Sequence, residues 1–346
     1  MIGQVQKYSF INAKIKAMKS YLLDSNTYRQ LLETTQLDAV YKLLLETPYE
    51  KTLSELGTKE PHIFEVSRLL EKDLYKTYQM IFRYFQVGNE TEFINLMLSK
   101  IDVENIKIIL RGKAKRKSSI EIRDMLFEKH GASSIDFDAL AESKDIEQCI
   151  SLLSETLYGK RLNAVFYLFE REKRVVILER ALEWVYYQSL WKGFEKLSGE
   201  DSRIMRFYLG IYFDITNIMT ILRHRIFYEM APDDVWSLIF PRVYRLTNRQ
   251  LRELTQVTAD DYRDVLLTTS YGRSVGEFKD ITDFEMKLFN VMKRAVHKML
   301  SGSPFHIGTV VGFLLLKEME VNNLKCIAEG KRHGLDESEI IDNLVM

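Results

Sequence analysis

The chain has 346 residues, 46% hydrophobic and 28% charged, with 49 Lys+Arg set against 49 Asp+Glu. That balance argues against a nucleic-acid binder, which needs a basic surplus to neutralise phosphates. Five prolines and sixteen glycines favour helices over strand-and-turn architecture, and two cysteines supply neither a disulfide framework nor a thiolate zinc site.

The opening stretch, MIGQVQKYSFINAKIKAM, is polar and lacks the apolar core of a signal peptide. A short apolar helix is predicted in LDAVYKLLLETPY, ending at Tyr49. Next comes DVENIKIIL (102–110), whose Val103, Ile106 and Ile109 share one helix face, with Asp102 and Asn105 at its edge. The basic run RGKAKRK (111–117) follows, and Ser118 with Glu121 has capping-box spacing for a new helix. IEQCISLLSETLY repeats the first pattern and ends at Tyr158. Ile204, Tyr208, Ile211, Ile215, Ile218 and Leu222 then step by four and three, a long helical seam that carries Asp214 and Asn217. Pro232 suits a first helical turn, and DYRDVLLTTSY reaches Tyr271. IGTVVGFLLL (307–316) is apolar with a Gly308-x-x-x-Gly312 spacing, but ten residues of helix span only about 15 Å, too short for a bilayer. A buried helix is expected there, its glycines admitting a close neighbour. Glu320 and Asn323 lie further along it, and Asp336 with Glu339 has capping-box spacing again.

These elements recur. Tyr49, Tyr158 and Tyr271 lie roughly 110 residues apart, as do Asn105, Asn217 and Asn323, each Asn three residues after an acid. Leu44, Leu153 and Leu266 precede the tyrosines at one spacing. The reading is an all-α chain of three pseudo-equivalent helical repeats, 1–117, 118–230 and 231–346. Repeats this long suit a closed or funnel-like body better than a thin solenoid. The acid and Asn of each copy are expected to fix helix register or satisfy a loop carbonyl, and the tyrosines to anchor nearby backbone through their hydroxyls.

Catalytic motifs are sparse. No Walker-type, G-x-G-x-x-G or G-x-S-x-G pattern occurs, and the six histidines form no H-x-x-x-H group. DDYRD, with Asp260, Asp261 and Asp264, matches the DDxxD with which prenyl-diphosphate enzymes hold magnesium, but no second acidic motif follows it. Basic residues recur after each Asn: Arg111, Lys113, Lys115, Arg116 and Lys117; Arg223 and Arg225; Lys331 and Arg332. They either complement helix C-termini or, gathered by pseudo-threefold symmetry at one rim, form a positive collar for an acidic partner.

Together these motifs resemble the C subunit of the archaeal and bacterial V/A-type rotary ATPases, the counterpart of the d subunit of vacuolar ATPases. The likeness runs through the whole chain. Tyr8 and Asn12 to Ile15 match an N-terminal pattern, and LETPYEKTL matches the first repeat. Pro304, Phe305, Ile307, Gly308, Lys317 and Glu318 match near the C-terminus, followed by Asn323, Leu324, Gly330 and Lys331. The middle copy departs, with Met219 where the others have Lys107 and Lys325, and His224 where they have Gly112 and Gly330. The resemblance implies a non-catalytic, funnel-shaped component of the central stalk, one copy per complex, on the cytoplasmic face of the membrane. Its partners would be the rotor shaft and the proteolipid ring, with no cofactor, metal, nucleic acid or small-molecule substrate. Two other readings stay open: a helical-repeat adaptor unrelated to rotary motors, and the magnesium-dependent prenyl enzyme.

Overall fold

Well-placed caps start the helices that the sequence predicts. Ser118 and Asp336 each accept from the backbone N–H of the glutamate three residues on, which reaches back to the cap's own N–H. Pro232 opens its helix at the first turn. The computed structural model describes residues 2–57, 62–84, 88–131 and 133–344, and no strand occurs among them.

The chain divides into two compact units, one of Met1–Gln86 with Met286–Met346, the other of Val87–Glu285. In the first, the 26-residue helix Ile307–Arg332 packs against Ile63–Phe82, Ile2–Lys19 and Leu37–Leu44. Most of its residues are buried or half-buried, among them Ile307, Val311, Leu314 and Ile327, as in a helix at the centre of a core. Among the described residues no helix is long and apolar enough to cross a membrane. Gly312 faces Leu300, whose side chain would meet an added Cβ at 2.9 Å, so this glycine does admit a close neighbour. In the second unit Val176–Phe194 is central, packed on Leu157–Glu172, Asn89–Leu98, Lys100–Ala114 and Gly199–Leu222. Along Gly199–Leu222 the predicted seam is buried except for half-buried Ile204, and Leu209, Phe213 and Ile221 are buried as well. The seam is therefore wider than its spacing implied. The contact units are cut at other positions than the sequence repeats, whose expected bounds fall after 117 and 230.

Lys100–Ala114, Gly199–Leu222 and Ile307–Arg332 carry the recurring acid and Asn, and are called the signature helices below. They end alike in the outer two copies. Gly112 and Gly330 leave room for Ile122 and Ile340 of the capped helix that follows, where an added Cβ would lie 2.6 and 2.5 Å from the isoleucine. Arg116 and Gly334 then turn left-handed, at φ 55° and 69°. The N–H of the next residue returns to Gly112 and Gly330, closing the helix end. In the middle copy His224 fills the glycine position. There the backbone widens to a π-turn over Arg223–Phe227, which makes space a side chain would otherwise deny.

Substituting Gly330→Ala is expected to destabilise the chain by about 1–3 kcal/mol, because Ile340 must give way. Adding Ile340→Val should recover part of that loss, read as a non-additive shift in denaturant midpoint.

Candidate functional site

The recurring acids and asparagines sit on buried turns of the signature helices. Asp214 and Asn217 are 0% exposed, and Asp102, Glu320 and Asn323 are 5%. A carboxylate so placed must be answered, since an isolated buried charge costs several kcal/mol. Asp214 accepts the N–H groups of Tyr244, Arg245 and Leu246 at 3.0, 2.6 and 3.1 Å, and the Tyr271 hydroxyl at 2.9 Å. Burial still pushes its carboxyl above the usual range, opposed by those donors. Glu320 accepts the Leu23 N–H at 2.6 Å and the Tyr49 hydroxyl at 2.7 Å. Lys317 donates to the same hydroxyl at 2.8 Å and pairs with Asp73 at 3.1 Å. Asp102 lies 3.2 Å from His130 and beside Tyr158, which shares a hydrogen bond with Ser99. Burial, then the facing carboxylate, pushes the phenol pKa of Tyr49, Tyr158 and Tyr271 upward, so all three remain protonated donors.

The tyrosines thus differ from their expected role. In two copies the hydroxyl is given to a carboxylate rather than to nearby backbone, and each acid is matched with the tyrosine of the next copy. Asp102 goes with Tyr158, Asp214 with Tyr271, and Glu320 returns to Tyr49.

Two of the asparagines act as backbone clamps. Asn105 donates to the Phe127 carbonyl at 3.0 Å and accepts its N–H at 2.8 Å, while Asn217 does the same to Phe240 at 3.0 and 2.7 Å. Asn323 shares a hydrogen bond with Tyr28. Sequence reading passed over one further recurring group. Thr47, Thr156 and Thr269 each donate to the carbonyl of Leu44, Leu153 or Leu266, at 2.6, 2.7 and 2.7 Å. Each accepts an N–H at the start of the next helix. The signal was present, since all three threonines stand two residues before a repeat tyrosine.

The basic residues fall into three groups. Lys113 and Lys331 turn inward, donating to the carbonyls of Ala141 and Ser143 and of Leu32; Arg225, in the same register, donates to Met230. Arg111 pairs with Glu179 and Arg223 with Glu285, again in one register. Lys115, Arg116 and Arg332 are exposed, Arg332 with Glu329 4.0 Å away, and half-exposed Lys117 reaches Glu121 at 3.5 Å.

A profile of the ATP synthase (C/AC39) subunit matches residues 11–343. The chain belongs to that family. It is 29% identical to the C subunit of the A-type ATP synthase of Archaeoglobus fulgidus, over 99% of this chain and 98% of that protein. Those of Methanosphaera stadtmanae and Methanocaldococcus jannaschii are 27% and 26% identical, covering 98% and 100% of this chain and 88% of each relative. The members of this family are non-catalytic components of their complex, which removes the prenyl-enzyme reading. Asp260, Asp261 and Asp264 are exposed, and Asp261 accepts the Thr258 N–H and hydroxyl at 2.6 and 3.0 Å, closing a turn. Among the described residues no cluster of three His, Cys, Asp or Glu could hold a metal.

Removing the clamp in Asn217→Ala leaves both backbone groups of Phe240 buried and unanswered. A loss of about 2–5 kcal/mol is expected, with faster hydrogen exchange at the Phe240 amide. His224 supplies a pH test. Burial, reinforced by Arg180, Arg223 and Arg174 against a bond to Thr220, pushes its imidazole from 6.5 down to about 4. Between those values the unfolded chain binds the proton more readily, so stability is full above 6.5 and falls as the pH drops toward 4. That loss, roughly 1–3 kcal/mol, should vanish from the pH profile of thermal unfolding in His224→Asn.

Proposed function

We propose that this chain is the central-stalk connector of a V/A-type ion-translocating ATPase, joining the rotor shaft to the membrane proteolipid ring. The observation that carries the reading is the family match over residues 11–343, supported at nearly full length by relatives named as the C subunit of an A-type ATP synthase. One copy would sit on the cytoplasmic face, its three repeats arranged as a funnel around the shaft.

The physical demands of that role agree with the residues. A connector under torque must not yield internally; buried acids hold two of the signature helices to distant backbone, Asp102 of the third lies against the His130 side chain, and a buried Asn clamps distant backbone in two copies. Such networks have discrete arrangements and resist gradual deformation. The collar narrows to the side chains the fold leaves outward: Lys115, Arg116, Lys117 and Arg332.

A tagged copy purified from gently solubilised membranes should bring down the shaft and proteolipid components, identified by mass. Recovery alone, or with unrelated soluble proteins, would sink the proposal and favour the adaptor. For the collar, reversing Lys115, Arg116 and Lys117 to Glu should weaken assembly most at low ionic strength, where exposed charges are least screened. Unchanged assembly at low salt would rule the collar out.

A further inference from the structure

In the Asp214 copy, the stretch from Phe240 to Leu246 crosses the signature helix. Asn217 holds Phe240 by both backbone groups, and the Phe240 ring lies 4.6 Å from that of Phe213. Tyr244 lies against Gly210, where an added Cβ would come within 2.5 Å of its ring. Leu246 gives its N–H to Asp214, and Thr247 caps the next helix. The repeat register carries Gly210, Phe213, Asp214 and Asn217 onto Leu316, Met319, Glu320 and Asn323. Asp24, one residue out of the tyrosine register, caps Ser25–Glu33 as Thr247 caps Asn248–Thr255, each accepting the N–H three residues on. Accordingly Leu23 gives Glu320 the N–H that Leu246 gives Asp214.

The groove beneath is different. Beside Leu316, Met319 and Asn323, where the register places the first part of a crossing segment, lies a cavity of about 630 Å³. Leu22, Leu32 and Ile341 add to its apolar lining, and Arg29 and Lys293 bring positive charge to it. Neither Arg29 nor Lys293 makes an ion pair among the described residues. Of the two acids in the lining, Glu320 is engaged by Tyr49 and Leu23, which leaves Glu337. Burial, then the charges of Lys293 and Lys19, lowers the His297 pKa.

We infer that this groove receives an extended segment of a partner protein, with an apolar or aromatic side chain seated over Leu316 and a carboxylate nearby facing Arg29 and Lys293. The fold supplies the precedent for the backbone path, since in the Asp214 copy the chain itself takes it. Apolar walls and unanswered cations supply the chemistry. The inference goes beyond the rotor reading and does not depend on which protein the partner is.

The test places benzoylphenylalanine at Leu316 in the tagged full chain, assembled in its own membranes, and identifies photolinked peptides by mass. The expected product joins position 316 to another polypeptide at a segment containing Asp or Glu. Its yield should fall about tenfold in Arg29→Glu/Lys293→Glu. Links only to this chain's own residues, to a second copy or to a small molecule would overturn the inference, as would no link or a yield indifferent to the reversals. A milder variant, Ser25→Cys at the cavity wall, gives an independent readout. Its maleimide labelling should slow about tenfold in the assembled complex relative to the isolated chain, as a covered thiol requires. Equal rates would overturn the inference.

Discussion

Burying a carboxylate in the middle of a helix is the constraint from which the rest of this structure follows. At 0% exposure, Asp214 has no water to answer it, so the chain must bring donors from elsewhere. It brings three consecutive backbone N–H groups and a tyrosine hydroxyl, all from segments outside the helix itself. Glu320 is met by a backbone N–H, a tyrosine and a lysine, and Asp102 by a histidine with a tyrosine beside it. The solutions differ in detail, yet each fixes where a distant stretch of chain must lie. Hydrogen bonds to a charged group contribute about 1.5–3 kcal/mol each, and leaving one unmade in such a place costs comparably.

That constraint also joins each sequence repeat to the next. Each acid is matched with the tyrosine of the following copy, so each such contact joins the end of one sequence repeat to the beginning of the next. For Glu320 the next tyrosine is Tyr49, and residues from both ends of the sequence meet in one compact unit. The same joining appears in the lysines, since Lys331 donates to the Leu32 carbonyl as Lys113 does to Ala141. In this one register, eight residues after the Asn, the basic residue is spent on backbone carbonyls.

The middle copy shows how much the pattern tolerates. With His224 in the glycine position the helix widens to a π-turn, and Met219 replaces the lysine that elsewhere pairs with Glu183 or Glu71. The acid and the Asn are kept, and with them the clamp on Phe240 and the donors from Tyr244 to Leu246. What varies is the helix end; what stays is the buried polar pair that sets the path of the crossing segment.

Much of this was legible in the residues alone. Periodicity gave the helices, because burying one face is a local requirement written at three- and four-residue steps; cap chemistry gave several of their starts. Recurrence gave the acids, asparagines and tyrosines as structural positions, and the clamp on a loop carbonyl was anticipated for Asn105 and Asn217. The sequence by itself therefore determined the all-α class, the recurring positions and the family. Tertiary structure alone decided which acid meets which tyrosine, and which cations are spent inside. Lys113 and Lys115 look alike in the sequence, but one reaches two carbonyls and the other is exposed. The physical reason is distance along the chain. Tyr49 and Glu320 are 271 residues apart, and nothing in local spacing records a contact made only when remote segments close around a charge that cannot remain alone.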